Sequence, residues 1–333
     1  MGPFILRRFI HLIPTFLGAM FLAFMISQLT PGDYFTAREM DPNVQPETLE
    51  RLRARFHLDQ SIPVQFVYWI GNIARGDLGE SMSSNQPVWN VISNRIGNSM
   101  ILVVFSTILL YAMAIPLGVF SAVRQYSFGD QVISFLSYIA LAIPNFFLAL
   151  LFILLIFIVR TWTRELFGYN QLLLPVAQMT SSGHLEMTRF QQLLDIFWHM
   201  LMPGFVIATA GIAGFTRVLR GQLLEFMGSD FIRTARAKGL GQRAITYKHA
   251  LRPALIPFVA GIGGLLPSLV GGAGLVEIVV SWPGITPTFL NAINQRDVFV
   301  YLGLLVISTL LLIIGNLLSD LLLAVVDPRI RYS

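Results

Sequence analysis

Six stretches of this chain are apolar over the length, or nearly the length, that crosses a lipid bilayer. About 20 helical residues cover ~30 Å of hydrocarbon at 1.5 Å per residue, and the stretches are 9–29, 100–122, 132–159, 200–216, 255–280 and 301–326. The bilayer interior offers backbone N–H and C=O groups no partner outside the segment, so such stretches fold as helices. A soluble helical core of this size would need helices with a polar face, and these stretches have none. Composition agrees: 55% of the 333 residues are hydrophobic and 12% are charged, against about 25% charged in soluble proteins. The expected fold class is an all-α polytopic membrane protein with six transmembrane helices and a helical extracytoplasmic segment after the first.

The 200–216 stretch is short and rich in Gly and Ala, which predicts packing against other helices rather than lipid. Pro116, Pro144, Pro257 and Pro267 fall inside apolar stretches, where neighbouring helices can re-satisfy the freed backbone groups. Arg7 and Arg8 before the first stretch resemble a signal peptide, but the stretch is about 20 residues long and has no small-x-small cleavage pattern. It reads as an uncleaved span. With the N-terminus inside, the inner segments 1–8, 123–131, 217–254 and 327–333 hold thirteen basic residues, and the outer loops 160–199 and 281–300 hold four. Both termini are therefore expected in the cytoplasm. The formal charge of +5 is explained by this inner-side bias and does not call for nucleic acid. With no cysteine, thiolate metal sites, disulfides and thiol nucleophiles are excluded.

The expected layout is 1–29 for the N-terminus and first span, 30–99 for an outer segment, 100–326 for the core and 327–333 for the tail. The outer segment contains "PETLERLRARFHL", with Leu49, Leu52 and Phe56 on one face, and "VQFVYWIGNIARGDLGESM", with a Phe66, Trp69, Ile70, Ile73 stripe. These predict a small helical cap partly lying in the interface. The turn that follows, with Gly76, Asp77, Leu78, Gly79, Ser81 and Pro87, is a candidate docking platform.

The inner segment 217–254 carries the most complete local signals. Ser229 is placed as an N-cap, Asp230 lies in the first turn, Lys238 in the last, Gly239 at C′ and Leu240 after it. They define a helix of about nine residues, roughly 13 Å long. Arg233, Arg236 and Lys238 supply cations beside the small Thr234, Ala235 and Ala237, a pattern suited to docking on an acidic partner. A second helix is expected after Gly241, ending at Pro253.

"RTARAKGL" with "HALRPALIPF" resembles the coupling loop of the membrane permease subunits of binding-protein-dependent ABC importers, in the peptide and nickel branch. "GDLGESM" with "PVWNVISNRI", "VEIVVSWPGI" with "NAINQRDVFV", "FILRRFIHLIPTFLG", "LTPGD" and "DPRIR" extend the resemblance over nearly the whole chain. Two departures stand out: Gly97, Asn98 and Ser99 replace a usual Pro-x-Thr, and Ile285 and Thr286 replace a usual glycine pair. The resemblance implies the ABC importer permease fold, a second homologous permease subunit, two ATP-binding subunits that use ATP and Mg, and an extracytoplasmic substrate-binding protein. It also implies a prokaryotic plasma (inner) membrane location. Asp230, Arg233, Thr234, Ala235, Arg236, Lys238, Gly239 and Leu240 would then couple to an ATPase.

The chain contains no Gly-x-x-x-x-Gly-Lys-Ser/Thr loop, so it cannot cradle nucleotide phosphates in that way. No catalytic, cofactor or metal residue is assigned to it. Candidate path residues are Pro144, Asn145, Gly271, Gly272 and Glu277, although close helix packing explains the glycines equally well. Asn316 and Asp320 share a helix face at i,i+4, and Asp320 is expected to pair with Arg217 or Arg220. The alternatives are a permease for nickel or another small solute and a stand-alone channel or secondary transporter. The latter needs a chain of buried ionisable groups, and the spans offer little beyond His11 and Asp320.

Overall fold

The computed structural model describes residues 2–29, 46–167, 174–261 and 273–326. The described residues are helical, joined by turns and short loops, with one isolated bridge pairing Glu80 and Pro87. Among the described residues, five helices are long and apolar enough to cross a membrane. The long elements are α1 (Gly2–Leu29), α4 (Val88–Val123), α6 (Asn145–Phe167), α7 (Arg189–Met227) and α14 (Val298–Val326). Shorter ones are α2 (Pro46–Arg55), α3 (Ile62–Ala74), α5 (Phe128–Ala142), α8 (Asp230–Ala237), α9 (Gln242–Ala244), α10 (Leu251–Ala254), α11 (Ile256–Gly261), α12 (Gly274–Val279) and α13 (Ile285–Asn294). The centre of the fifth predicted stretch, with Gly271 and Gly272, lies outside the described residues, as do "LTPGD" beyond its first residue and the "DPRIR" tail.

The chain forms two compact units, Met1–Asn98 with Gly284–Ile313, and Ser99–Pro283 with Ile314–Ser333. In the first unit, Met20 and Phe24 of α1 pack with Trp69 of α3, Val88 and Ile92 of α4, and Ile285 of α13. The ring of Trp69 stacks on Phe24 at 5.5 Å. The predicted aromatic stripe of α3 therefore faces α1 rather than the bilayer interface: a protein partner covers the surface that the sequence alone would leave to lipid. Ile285, one of the departures, is fully buried in this cluster.

In the second unit α7 is the central post. Half of its most apolar window is buried, more than for any other spanning helix, as its Gly and Ala content predicts. A Cβ at Gly204 would meet Phe105 at 2.4 Å, one at Gly211 would meet Leu110 at 2.3 Å, and one at Gly118 would meet Leu219 at 2.9 Å. These pairs rise together in number, so α4 and α7 run parallel at a separation that side chains at the three glycines would prevent.

The predicted 132–159 span is divided. Ile143, preceding Pro144, is extended (φ −91°, ψ 121°), as the proline ring favours for the residue before it, and this separates α5 from α6. Both segments still line α7: Asp130 and Tyr138 of α5 meet Arg220 and Arg217, and Phe152 of α6 meets Phe205. They run antiparallel to α7, one along each end. The helix expected to end at Pro253 ends one residue later, at Ala254. The backbone widens into π turns over Ile245–Ala250, then resumes as α10 through the proline to Ala254, an adjustment that accommodates the missing N–H.

A buried ion pair ties α5 to α7. Arg220 Nε and Nη2 donate to Asp130 Oδ1 and Oδ2, each at 2.8 Å, and the Tyr126 N–H adds a third bond at 2.9 Å. Asp130 is buried. Arg217 lies over the ring of Tyr138 at 4.5 Å. The two arginines expected beside Asp320 are engaged elsewhere, Arg220 by Asp130 of α5, 90 residues upstream, and Arg217 by Tyr138. Asn316 is exposed and Asp320 half-buried.

Removing one partner of a buried pair leaves the other charge uncompensated, at a cost of about 3–5 kcal/mol. Arg220→Ala is expected to lower the melting temperature of the solubilised protein clearly, and adding Asp130→Ala should restore part of the loss. An unchanged melting temperature for Arg220→Ala would contradict the role given to this pair.

Candidate coupling helix and outer turn

The signals read around residue 230 produce the predicted helix. α8 begins with Ser229 in the N-cap position (φ −73°, ψ 156°) and Asp230 in its first turn. The Ser229 hydroxyl does not cap: it donates backwards to the Phe226 carbonyl, while Arg233 donates to the Asp230 carboxylate at 3.3 Å on the exposed surface. The C-terminus is a complete Schellman motif. Gly239 N–H donates to Arg236 O (2.9 Å) and Leu240 N–H to Ala235 O (3.3 Å). Gly239 holds φ +78°, and a Cβ there would meet no atom within 4 Å. Glycine is thus required by backbone conformation and not by crowding.

Two faces of α8 do different things. Ile232 is fully buried and Ala235 nearly so, in a cluster with Val119 and Ala122 at the end of α4, Leu219 and Leu223 at the end of α7, and Ile245 and Ala250 beyond. Ala235, expected on the docking face, instead lets the helix approach its own protein. The other face carries Arg233, Thr234, Arg236 and Lys238, all exposed, with Phe231 46% and Leu240 40% exposed. The Thr234 hydroxyl donates to the Asp230 carbonyl at 3.0 Å. A helix of eight residues is too short to be stable alone. Ile232 and Ala235 fix it in place, and the exposed side is left cationic with two large apolar groups.

The turn expected on the outer side is built around a buried carboxylate. Asp297 Oδ2 accepts from Ser81 Oγ (2.6 Å), Ser83 N–H (3.0 Å) and Ser83 Oγ (2.8 Å). Gly76 (φ +82°) and Gly79 (φ +87°) turn the chain, Asp77 accepts from Gly79 N–H at 2.8 Å, and Leu78 is buried. Ser81 is therefore an anchor rather than a docking contact, whereas residues 84–87, including Pro87, are exposed. The sequence displayed both halves of this clasp, "GDLGESM" and "NAINQRDVFV", without showing that they meet.

The path candidates separate in the same way. Asn145, the first residue of α6, lines a cavity of about 350 Å³ with Ser106, Tyr111 and Gly211. Pro144, exposed, makes the break before it. Glu277, named as a path candidate, is fully buried and accepts a hydrogen bond from Ser99 Oγ. Ser99 stands where the resemblance leads one to expect a threonine, and its hydroxyl makes this bond. A cluster the sequence did not reveal ties the loop before α7: Asp195 accepts from Ser181 N–H and Oγ and from His184 Nδ1, at 2.9, 2.6 and 2.8 Å. Among the described residues no group of His, Cys, Asp and Glu could hold a metal ion.

Comparison with known proteins covers the whole chain. Residues 114–332 match the family described as binding-protein-dependent transport system inner membrane component, and residues 1–103 match the corresponding N-terminal family. The oligopeptide transport system permease protein AppB of Bacillus subtilis is 38% identical over 333 residues, covering all of both chains. The dipeptide transport system permease protein DppB of Escherichia coli is 34% identical, and the di/tripeptide transport system permease protein of Pseudomonas aeruginosa 32%, each again over all of both chains.

Ile232→Ala would remove the side chain that fixes α8, at about 2–5 kcal/mol. Limited trypsin digestion should then cut faster at Arg233 and Arg236 in the variant than in the parent. Equal cleavage rates would show that the helix is held by something else.

Proposed function

The chain belongs to the family of binding-protein-dependent transport system inner membrane components, and we propose that it is the permease subunit through which an ATP-driven importer moves peptides. The relatives named for oligopeptides, dipeptides and di/tripeptides support peptide cargo over nickel. In this reading the chain forms half of the path beside a second homologous permease. Two ATP-binding subunits, using ATP and Mg, lie on the cytoplasmic side. A binding protein delivers cargo to the outer segment 30–99, and both termini face the cytoplasm. The chain itself performs no ATP chemistry.

The observation that carries the reading is α8. Its exposed face offers Phe231, Leu240 and three cations to a partner, while Ile232 and Ala235 join it to the ends of α4 and α7. A displacement of α8 by an ATPase would pass through that cluster into both helices, and the Asp130–Arg220 pair would carry α5 with them. Coupling of this kind requires a packed element that both sites can bias between two states.

Gly239 gives the test. A β-branched residue at φ +78° costs about 1–2 kcal/mol and disturbs only the end of α8, since the space around it is open. In the reconstituted complex, Gly239→Val should lower ATP-driven peptide uptake about tenfold or more while ATP hydrolysis continues. Gly241→Val, two residues on at an ordinary φ of −66°, should leave uptake near the parent level. Normal uptake by Gly239→Val, or equal losses in both variants, would refute the assignment.

A further inference from the structure

The first unit contains a polar cavity of about 540 Å³ between the start of α4 and α13, within the size range of small-molecule sites. Its walls are set by helical spacing. Asn90 and Asn94 (i,i+4) line it from α4; Thr288 and Asn291, with Gln295 at the C-cap one turn further, line it from α13. The side-chain amides of Asn90, Asn94, Asn291 and Gln295 make no hydrogen bond to any described residue, whereas Thr288 is occupied by the Gly284 carbonyl. The carboxylate that also lines the cavity, Asp297, already accepts from Ser81 and Ser83.

A carboxamide presents two N–H donors and a carbonyl acceptor. A peptide chain presents one donor and one acceptor per residue. Four carboxamides with no partner among the described residues around one concavity can therefore pair with an extended backbone in several registers, beside the exposed Arg95, which lines the same cavity. A carboxylate-seeking cation would find Asp297 buried and engaged, and an apolar solute would leave the amides unsatisfied.

We propose that this cavity is a holding site for the backbone of the transported peptide, with Asn90, Asn94, Asn291 and Gln295 as its hydrogen-bonding groups. The proposal rests on the reading of the cargo as a peptide. It adds that side-chain tolerance originates partly in this chain, because its contacts address what all peptides share.

The test uses the complete transporter in proteoliposomes, with loaded binding protein at limiting concentration. The variant is Asn94→Ala with Asn291→Ala; both residues are exposed and alanine favours helix. Uptake of a peptide should fall about tenfold, as expected for two lost hydrogen bonds. Uptake of a backbone N-methylated analogue should change less than about twofold, and docking of the binding protein, measured by surface plasmon resonance, should not change. Parent-level uptake of both peptides overturns the proposal. So does an equal loss for both; if docking weakens as well, the surface belongs to the binding protein instead. A parent transporter that moves no peptide overturns the functional reading itself, and the holding site with it.

Discussion

Ile232 determines more of this structure than its size suggests. It is the fully buried side chain of a helix only eight residues long, and burying one such side chain is worth roughly 1.5–3 kcal/mol. Without that anchor, α8 would be a basic loop with no defined direction, because isolated helices of this length do not form. With it, the exposed cations and Phe231 acquire a fixed orientation. They also gain a rigid connection to Leu219 and Leu223 of α7 and to Val119 and Ala122 of α4. Interiors packed at crystal-like density transmit strain, so the same contacts that hold the helix would let it serve as the lever proposed for it.

The rest of the second unit reinforces that connection. Glycines at 204 and 211 bring α7 against α4, which membrane helices need because lipid supplies no hydrophobic drive for them to associate. The Asp130–Arg220 pair adds α5 at the same end of α7 as α8. In the first unit the equivalent fixed point is Asp297, whose three bonds from Ser81 and Ser83 hold the turn after α3 and leave residues 84–87 exposed. Each unit thus combines an anchored base with an exposed polar surface.

What the sequence disclosed and what it withheld divide along one physical line. Signals that act within a few residues were legible. Spanning length located the five long apolar helices found among the described residues, though it ran α5 and α6 together, and Asp230 and Gly239 marked the ends of α8, whose Schellman bonds formed as the glycine predicted. The Gly and Ala content of the fourth stretch correctly foretold its burial. Contacts between distant residues were not legible. Nothing near Arg220 indicates that Asp130 is its partner, and Glu277 gave no sign of complete burial against Ser99. The stripe on α3 matched an interfacial helix as well as a buried one until Phe24 was seen to cover it. Helix ends also misled: polar Asn90, Asn94 and Arg95 mark the limit of hydropathy but not of the helix, so α4 begins twelve residues before its apolar stretch. The prolines acted locally but not uniformly. Pro144 made a break before α6, and the helix carrying Pro253 widened into π turns over Ile245–Ala250 and ended one residue past the proline.

The central claim is that solute movement is imposed on this chain from the cytoplasmic side by a partner that hydrolyses ATP. Proteoliposomes containing the two permease subunits, with and without the ATP-binding subunits, test it directly when supplied with loaded binding protein and labelled peptide. The account predicts accumulation only when the ATP-binding subunits and ATP are both present. Peptide accumulation by the permeases alone, with no nucleotide, would contradict it.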